Sequence, residues 1–280
     1  MTFIDQLAAA QALHQSRLCV GLDPDPQLFP GQLGRDAQAL YDFCAAIVDA
    51  TADLVLAFKP QIAYFAALGA ERQLEQLIAH IRDAAPQVPV ILDAKRGDIG
   101  STAAQYAREA FERYGADALT LSPFMGFDSI EPYLQYADKG LFLLCRTSNP
   151  GGNDFQNQRL ADVAGTPRLY EHLAQLAAGP WNRTGQLGLV VGATYPAELA
   201  RVRELAPRLP LLIPGVGAQG GDAAATVRAA LPQPDSGPIV VNSSRGILYA
   251  GSGSDFDQAA RNAAQQLRDR LNAATPAAAA

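Results

Sequence analysis

Short apolar runs alternate with longer amphipathic stretches along most of the chain. The runs are rich in Val, Leu and Ile, and they are apolar at consecutive positions rather than at every second one. This pattern is typical of strands that are buried on both faces. Eight strands are predicted, at Leu18–Leu22, Leu54–Phe58, Val88–Leu92, Ala118–Leu121, Leu141–Cys145, Leu187–Val191, Leu211–Ile213 and Ile239–Val241.

The stretches between the strands have the spacing of amphipathic helices, for example at Ala37–Ala52, Ala70–Ala84, Ser101–Tyr114 and Pro196–Ala206. Eight strand-then-helix units in about 250 residues predict an α/β fold of the (β/α)8 TIM-barrel class. The rival is an open doubly wound sheet, whose first strand usually leads into GxGxxG. Here the first strand leads into GLDPDP at 21–26, so the barrel is favoured.

Both ends of the chain add to this barrel. Residues 1–16 predict an extra amphipathic helix before the first strand. Residues 255–272 predict the last helix, with Ser254 as its N-cap. We expect residues 1–272 to form a single domain and the Ala-rich residues 273–280 to form a disordered tail.

Composition and charge exclude several classes of protein. The net charge of −6 argues against a nucleic-acid surface. No apolar run is long enough to span a membrane, and the first residues lack the basic region and continuous apolar core of a signal peptide. The cysteines have neither ligand spacing nor a pairable pattern, which indicates reduced thiols in a cytoplasmic protein: Cys19, Cys44 and Cys145.

Charged side chains follow directly on three of the apolar strands. The first strand ends in Asp23, the second in Lys59, and the third in Asp93 and Lys95, with Asp98 just beyond. The carboxyl ends of barrel strands hold the active site. Asp93 and Lys95 are two apart on a strand, so we expect them to share a face. Buried charges stabilise poorly, and their convergence on one mouth therefore indicates chemistry.

Lysine is rare in this chain, which makes its placement informative. Of the 22 basic residues, 19 are Arg and only Lys59, Lys95 and Lys139 are Lys. Arg keeps its proton near neutral pH, whereas a buried Lys can be tuned to release it. The choice of Lys at two strand ends is therefore a first indication of proton transfer.

The loops after the seventh and eighth strands predict a phosphate site. PGVGAQGG at 214–221 offers unobstructed backbone N–H groups, and NSSRG at 242–246 adds Arg245. These two loops commonly bind phosphate in barrels of this kind. The histidines fall in predicted helices away from the mouth, which excludes His triads and His metal sites: His14, His80 and His172.

These motifs together resemble the orotidine 5′-monophosphate decarboxylase family. The resemblance covers roughly residues 15–250 and rests on DAKRGDIGSTA after the third strand, in register with GLDP, FKPQ, TSNPG, PGVGAQGG and the strand-eight Arg. Residues 149–166, rich in Gly, Asn and Asp, form an insertion after the fifth strand that resembles the long-chain bacterial branch. The resemblance implies an enzyme that removes CO2 from orotidine monophosphate to give uridine monophosphate, without metal or organic cofactor.

The resemblance also implies roles for the charged strand ends. Lys95 would protonate C6 of the pyrimidine, and Asp93 would lie beside the substrate carboxylate. Lys59 would hold the charged network together, and Asp23 would bind the ribose. Loss of CO2 leaves a carbanion in the ring plane, with no π system to accept the electron pair. An ammonium both stabilises this carbanion and protonates it, which explains Lys rather than Arg at position 95.

Members of the family are homodimers in which an Asp and a Thr of the partner complete each site. Here these residues would be Asp98 and Thr102, which are four apart at a predicted helix start and are expected to share a face. Further expected substrate-binding residues are Ser148 at the pyrimidine, Gln219 and Arg245 at the phosphate, and Pro214 and Gly220 in the loop after the seventh strand.

Two alternatives share the barrel. One is a Mg²⁺-dependent sugar-phosphate decarboxylase or aldolase with the same Asp-x-Lys-x-x-Asp motif. Its metal needs a second carboxylate near the second strand, where this chain has Lys59. The other is a non-catalytic nucleotide-phosphate-binding barrel, which does not need Lys95 as a proton donor.

Overall fold

A computed structural model describes residues 1–217 and 221–275 of the chain, and the strands in this part form a parallel barrel. The strands are β1 Leu18–Leu22, β2 Ala57–Pro60, β3 Ile91–Arg96, β4 Ala118–Leu121, β5 Gly140–Arg146, β6 Leu187–Val191, β7 Leu211–Pro214 and β8 Ile239–Ser243. Their spatial order is β2-β1-β8-β7-β6-β5-β4-β3. Bridges from Phe58 to Val90 and from Gln61 to Asp93 join the two end strands. The predicted (β/α)8 barrel is confirmed.

All eight predicted strands are present, and β1, β4 and β6 have the predicted bounds. Strands β2 and β3 each begin three residues later than predicted. Before β2, Leu54 closes a short 3-10 turn. Before β3, the Val88 N–H bonds the Ala85 carbonyl in a turn. Apolar character indicates burial rather than strand pairing. Leu54 and Val88 are buried, but they lie in turns before the strands begin.

Helices cover the outside of the barrel and its lower end. They are α1 Phe3–His14, α2 Ala37–Thr51, α3 Ile62–Ala66, α4 Glu71–Ala84, α5 Gly100–Arg108, α6 Gly152–Phe155, α7 Leu169–Ala178, α8 Pro196–Leu205, α9 Ala223–Ala230, α10 Arg245–Leu248 and α11 Phe256–Ala273. The predicted helix Ser101–Tyr114 divides into α5 and a π-helical turn at Glu109–Arg113. Within the described residues, no helix combines the length and apolarity that a membrane crossing requires.

The predicted start of the last helix is wrong by one residue. Helix α11 is preceded by Asp255 as N-cap rather than Ser254, and no side-chain bond caps it. The helix runs to Ala273, into the predicted tail, and residues 276–280 of that tail lie outside the described part of the chain.

The predicted N-terminal helix is present as α1, and it closes the lower end of the barrel. The Phe3 ring packs edge-on against Phe142 of β5, with ring centroids 5.7 Å apart. We call the apolar layer at this end the floor; its buried members are Phe3, Leu7, Ala10, Cys19, Leu56, Ala57, Ile91, Ala118, Phe142, Val190, Leu212 and Val240. Burial of this apolar surface stabilises the end of the barrel opposite the expected active site.

Candidate active site

The strand alternation that fills the floor also builds a polar layer above it. Side chains two residues apart on a strand point the same way. Two residues beyond the floor residues Ala57, Ile91 and Ala118 come Lys59, Asp93 and Thr120. The same step on β5, β7 and β8 gives Leu144, Pro214 and Asn242. On β2, β3, β4 and β8 the barrel interior therefore changes from apolar to polar within one step of the strand, whereas β5 and β7 contribute the apolar Leu144 and Pro214.

These side chains line a cavity of about 320 Å³ at the carboxyl end of the strands. We call this end of the barrel the mouth. Seven of the predicted site residues line the cavity: Asp23, Lys59, Asp93, Lys95, Ser148, Pro214 and Arg245. The structure thus brings these seven residues together at one cavity.

Asp93 is the centre of a charged network in the cavity. Its Oδ2 lies 2.8 Å from Lys59 Nζ, and its Oδ1 lies 2.7 Å from Lys95 Nζ. The Thr120 hydroxyl donates a third hydrogen bond, 2.9 Å long, to Oδ1. Both carboxylate oxygens are thus engaged by an ammonium group.

The two lysines differ sharply in exposure. The Lys59 side chain is 5% exposed and the Lys95 side chain is 48% exposed. Burial alone would lower the pKa of Lys59, but the charges of Asp93 and Asp23 outweigh burial and raise this pKa above its ordinary value. Burial would raise the pKa of Asp93, but Lys59 and Lys95 outweigh it and lower this pKa well below its ordinary value. Asp93 and Lys59 therefore stay charged at neutral pH.

A bulge in β3 aims Lys95 at the cavity. Leu92 pairs with Leu119, but the next pair is Arg96 with Leu121, so four residues on β3 span the distance of two on β4. Lys95 adopts a φ of +46°, which is uncommon for a side chain other than glycine. Asp93 and Lys95 do meet, as predicted, but the regular alternation assumed for them is wrong.

Asp23 lies at the end of β1, beside Lys59. Its Oδ1 is 3.9 Å from Lys59 Nζ and has no hydrogen-bond partner within residues 1–217 and 221–275. The Tyr249 hydroxyl donates to the Asp23 carbonyl and accepts from the Asp25 N–H, which fixes this turn. A buried acceptor without a donor is costly, and the nearby Lys59 ammonium offsets part of that cost. The Asp23 side chain as a whole is 23% exposed and lines the cavity.

Ser148 reaches the cavity from the loop after β5. A Cβ at Gly192 would come within 2.8 Å of the Ser148 Cα, so glycine is needed at the end of β6 for this approach. The Thr194 hydroxyl also donates to the Ser148 carbonyl. The predicted insertion at 149–166 lies between β5 and α7, as expected, and contains the short helix α6.

The loop after β7 bends back on itself beside Arg245. The Gly221 N–H bonds the Gly215 carbonyl, and Gly215 has a φ of +98°, where glycine is favoured. Arg245 is exposed at the start of α10 and lines the cavity. Gln219 and Gly220, predicted to bind substrate, lie outside the described residues.

Asp98 and Thr102 do not line the cavity of their own chain. Thr102 is exposed on α5, whereas Asp98 precedes the helix with a φ of +86° and accepts a hydrogen bond from the Ile99 N–H. The expectation that both lie at a helix start and share its face is wrong, because the helix begins only at Gly100.

Several cavity residues were not predicted as site residues. They are Gln61, Thr120, Leu144, Thr147, Asn149, Val190, Leu212, Gly215, Val216, Asn242, Ser243 and Ser244. The signal that identifies Thr120 and Asn242 is in the sequence, since each lies two positions beyond a floor residue on its strand. The loop residues have no such signal, because loop conformation decides which side chains turn inward.

The site's own donors do not suit a metal ion or a cysteine nucleophile. The described residues contain no group of three or more His, Cys, Asp or Glu placed to hold a metal. Both Asp93 oxygens already bind ammonium groups, which would repel a cation. Burial raises the pKa of the Cys19 thiol in the floor to about 12, so it stays protonated.

Comparison with known proteins places this site in a family. The sequence profile described as Orotidine 5'-phosphate decarboxylase / HUMPS family matches residues 16–261. A relative from Leptothrix cholodnii, named Orotidine 5'-phosphate decarboxylase, is 73% identical over 282 residues, covering 99% of this chain and 99% of the relative. A protein of the same name from Polaromonas naphthalenivorans is 74% identical, covering 98% and 96%.

A solved structure agrees with the sequence comparisons. The OMP decarboxylase of Leishmania donovani superposes with a TM-score of 0.84 at 40% identity, and the match covers 98% of each chain. The profile match and the identity to relatives over nearly the whole chain show that the chain belongs to the orotidine 5′-phosphate decarboxylase family of enzymes.

Proposed function

We propose that this chain converts orotidine 5′-monophosphate to uridine 5′-monophosphate and CO2, with Lys95 as the proton donor. The observation that supports this most directly is the difference between the two lysines. Both bind Asp93 and both line the cavity, but Lys95 is half exposed whereas Lys59 is almost fully buried, so Lys95 is the better placed of the two to give a proton to the substrate. A cavity of about 320 Å³ suits one small ligand.

The proposed step balances without a cofactor. The bond between C6 and the carboxylate carbon breaks, CO2 leaves, and the electron pair stays on C6. The Lys95 ammonium stabilises the developing negative charge and then gives C6 a proton. Neutral Lys95 regains a proton from water, which its exposed side chain can reach.

Asp93 holds the Lys95 ammonium in position, and Lys59 balances the charge of Asp93. Asp93 accepts from both lysines, and its lowered pKa keeps it ionised beside them. A substrate carboxylate placed next to Asp93 would be repelled before reaction, and this repulsion is relieved as neutral CO2 forms. Lys59 is buried, so its role is to compensate the charge of Asp93 rather than to touch the substrate.

The remaining cavity residues would bind the rest of the nucleotide. The Asp23 carboxylate, which lines the cavity, would accept a hydrogen bond from a ribose hydroxyl, and Ser148 would contact the pyrimidine. The phosphate would be bound by Arg245, by Pro214 at the end of β7, and by Gln219 and Gly220, which follow in the sequence. Phosphate contacts far from C6 would supply binding energy that positions the ring for reaction.

The reading as a metal-dependent sugar-phosphate enzyme is less well supported. The family description names two groups, but the curated relatives at about 73% identity carry the decarboxylase name. At the position where a second carboxylate would be needed, the buried Lys59 ammonium lies 2.8 Å from Asp93.

The test is to follow orotidine monophosphate by ultraviolet absorbance with purified protein in EDTA. We expect the absorbance change of decarboxylation at a rate that added Mg²⁺ leaves unaltered. No change in absorbance would refute the proposed activity. A rate that collapses in EDTA and returns with Mg²⁺ would favour the metal-dependent alternative.

We propose further that the enzyme is a homodimer in which Asp98 and Thr102 complete the partner's cavity. Both residues lie outside their own cavity. Two large apolar side chains near Asp98 are exposed. Ile99, the next residue, is 49% exposed, and Met125, whose Cε would lie 3.9 Å from a Cβ at Gly97, is also 49% exposed. A two-fold interface over this patch would bury these apolar groups.

Subunit exchange between two inactive variants, Lys95→Ala and Asp98→Ala, tests the shared site. In a mixed dimer, one cavity has both Lys95 and Asp98 intact, and the other has neither. Random exchange makes about half of the dimers mixed, so about a quarter of all sites should be active. Exchange that is verified by mass spectrometry and restores no activity would contradict a shared site.

We also propose that residues 1–272 fold as one domain of a cytoplasmic protein. Strand pairing continues around the ring, and the three cysteines are free, buried thiols. One urea transition, coincident by Trp181 fluorescence and circular dichroism, is expected. A chain that ends at Thr275 should unfold at the same urea concentration; a lower midpoint would give the tail a structural role.

A further inference from the structure

Thr120 occupies an unusual position beneath the charged network. It lies on β4 with 1% exposure, and its hydroxyl makes three hydrogen bonds. It donates to Asp93 Oδ1 at 2.9 Å and accepts from the backbone N–H groups of Ala94 at 3.1 Å and Lys95 at 3.0 Å. One hydroxyl thus binds both members of the pair that the proposed chemistry uses.

The bulge in β3 explains why a hydroxyl is needed there. Between Leu92 and Arg96 the backbone of β3 leaves the register of β4, so the intervening N–H groups cannot pair in the regular ladder. The Thr120 hydroxyl accepts hydrogen bonds from two of these N–H groups. It therefore supports the segment in which Lys95 has a φ of +46°, a conformation that persists only when its surroundings hold it.

The number of these hydrogen bonds also indicates that the Thr120 hydroxyl positions other residues and does not bind substrate. A threonine hydroxyl has one donor hydrogen and two acceptor lone pairs. The bonds to Asp93, Ala94 and Lys95 use all three. Although Thr120 lines the cavity, its hydroxyl has no remaining capacity for a ligand.

We infer that Thr120 is a positioning residue for the decarboxylation, which holds the β3 bulge so that the Lys95 ammonium meets C6. The inference rests on the proposed role of Lys95 as proton donor. Thr120 acts through Asp93 and Lys95 and leaves the phosphate and ribose contacts unchanged. Its loss should therefore reduce kcat and spare KM.

The test compares Thr120→Val with Thr120→Ser. Valine keeps the shape and removes the hydroxyl, and serine keeps the hydroxyl. We expect kcat of Thr120→Val to fall about 100-fold, the size of effect that a small misplacement of a reacting group produces, with KM within about threefold of wild type. Thr120→Ser should recover most of kcat.

Thr51→Val is the matched control. Thr51 is fully buried in α2 and does not line the cavity, and its hydroxyl donates one hydrogen bond of 2.7 Å to the Ile47 carbonyl. This variant loses a buried hydroxyl and some stability, but its kcat should stay unchanged. A lower kcat in Thr51→Val would show that lost stability alone explains the effect.

Three results would overturn the inference: a normal kcat in Thr120→Val, an equal loss in Thr120→Ser, or a change confined to KM. If Thr120→Val does not fold, Thr120→Ala is measured in its place, and failure of both to fold would assign Thr120 to stability alone. Lys95→Ala is assayed in parallel. An active Lys95→Ala refutes the proposed proton donor, whereas an inactive one beside a normal Thr120→Val refutes only the role of Thr120.

Discussion

The floor and the mouth of the barrel lie one strand step apart and differ in what holds them together. The floor is filled by apolar side chains such as Phe3 and Phe142, whose burial stabilises the fold directly. The mouth buries Lys59 and Asp93, and buried ion pairs roughly break even against their desolvation. The floor end of each strand thus contributes mainly to stability, and the mouth end contributes mainly to the chemistry. Substitutions in the floor should therefore change the free energy of unfolding, and substitutions at the mouth should change kcat or KM.

The largest effect is expected at Lys95. Lys95→Ala removes both the proton donor and the charge that stabilises the carbanion, and kcat should fall about 10⁴-fold or more. Lys95→Arg should be nearly as inactive, because Arg does not release its proton. The melting temperature should change little or rise, since Asp93 keeps its bonds to Lys59 and Thr120.

Lys139 is the matched control for Lys95 at the other end of the barrel. Lys139 directly precedes β5, which begins at Gly140 near the floor. Its ammonium lies 3.6 Å from Asp117 Oδ1. Lys139→Ala should leave kcat unchanged. Near-normal turnover by Lys95→Arg would rule out proton donation by Lys95.

The next largest effect is expected at Arg245 on the rim of the mouth. Loss of a charge-assisted phosphate contact costs about 2–4 kcal/mol, so Arg245→Ala should raise KM for orotidine monophosphate about 30- to 700-fold. Orotidine without its phosphate should react almost equally well with both proteins. Steady-state kinetics with the two substrates measures this difference.

Arg35→Ala serves as the control for Arg245, because it removes an exposed arginine from the loop after β1. It should change KM for neither substrate. If Arg245→Ala impaired orotidine and its monophosphate to the same extent, Arg245 would not be the phosphate ligand.

A substitution in the floor should affect stability alone. Phe3 is 2% exposed and packs on Phe142, so Phe3→Ala should lower the free energy of unfolding by about 3 kcal/mol. Turnover per folded molecule should stay the same. Urea unfolding measures the loss, with Leu13→Ala, 57% exposed on the same helix, as the control. A fall in kcat for Phe3→Ala would mean that the two ends are coupled.

The sequence predicts the floor better than the mouth, because runs of apolar residues along the chain directly indicate which segments are buried. The eight apolar runs place every strand, and the charged residues that follow them place Asp23, Lys59 and Asp93 at the cavity. These positions depend only on where a strand ends and on which side of it faces inward.

The conformation of the mouth depends on hydrogen bonds that no periodicity reveals. The β3 bulge that aims Lys95 breaks the alternation from which its direction was predicted. The role of Thr120 becomes visible only once that bulge is known. Asp98 lies outside the cavity of its own chain. Its proposed role in the site therefore depends on how a second subunit packs against this one.

The smallest effect is expected from a change of pH. It alters the free energy of unfolding only where Asp93 or Lys59 at the mouth gains or loses a proton. The lowered pKa of Asp93 contributes stability above its unfolded value of about 3.9. This contribution is lost as pH falls through that value toward the folded pKa. The raised pKa of Lys59 contributes stability below its unfolded value of about 10.4, and this is lost only as pH rises toward the folded pKa.

Between about pH 5 and 9, therefore, neither group changes its contribution to stability. We expect the difference in the free energy of unfolding between wild type and Asp93→Asn to shrink below about pH 4, where the wild-type Asp93 loses its contribution. Urea titrations of both proteins at pH 3.5, 5, 7 and 9 measure it. A difference that stays unchanged at pH 3.5 would mean that the ionised Asp93 contributes no stability. The charged network would then be less tightly coupled than its 2.7 and 2.8 Å contacts indicate.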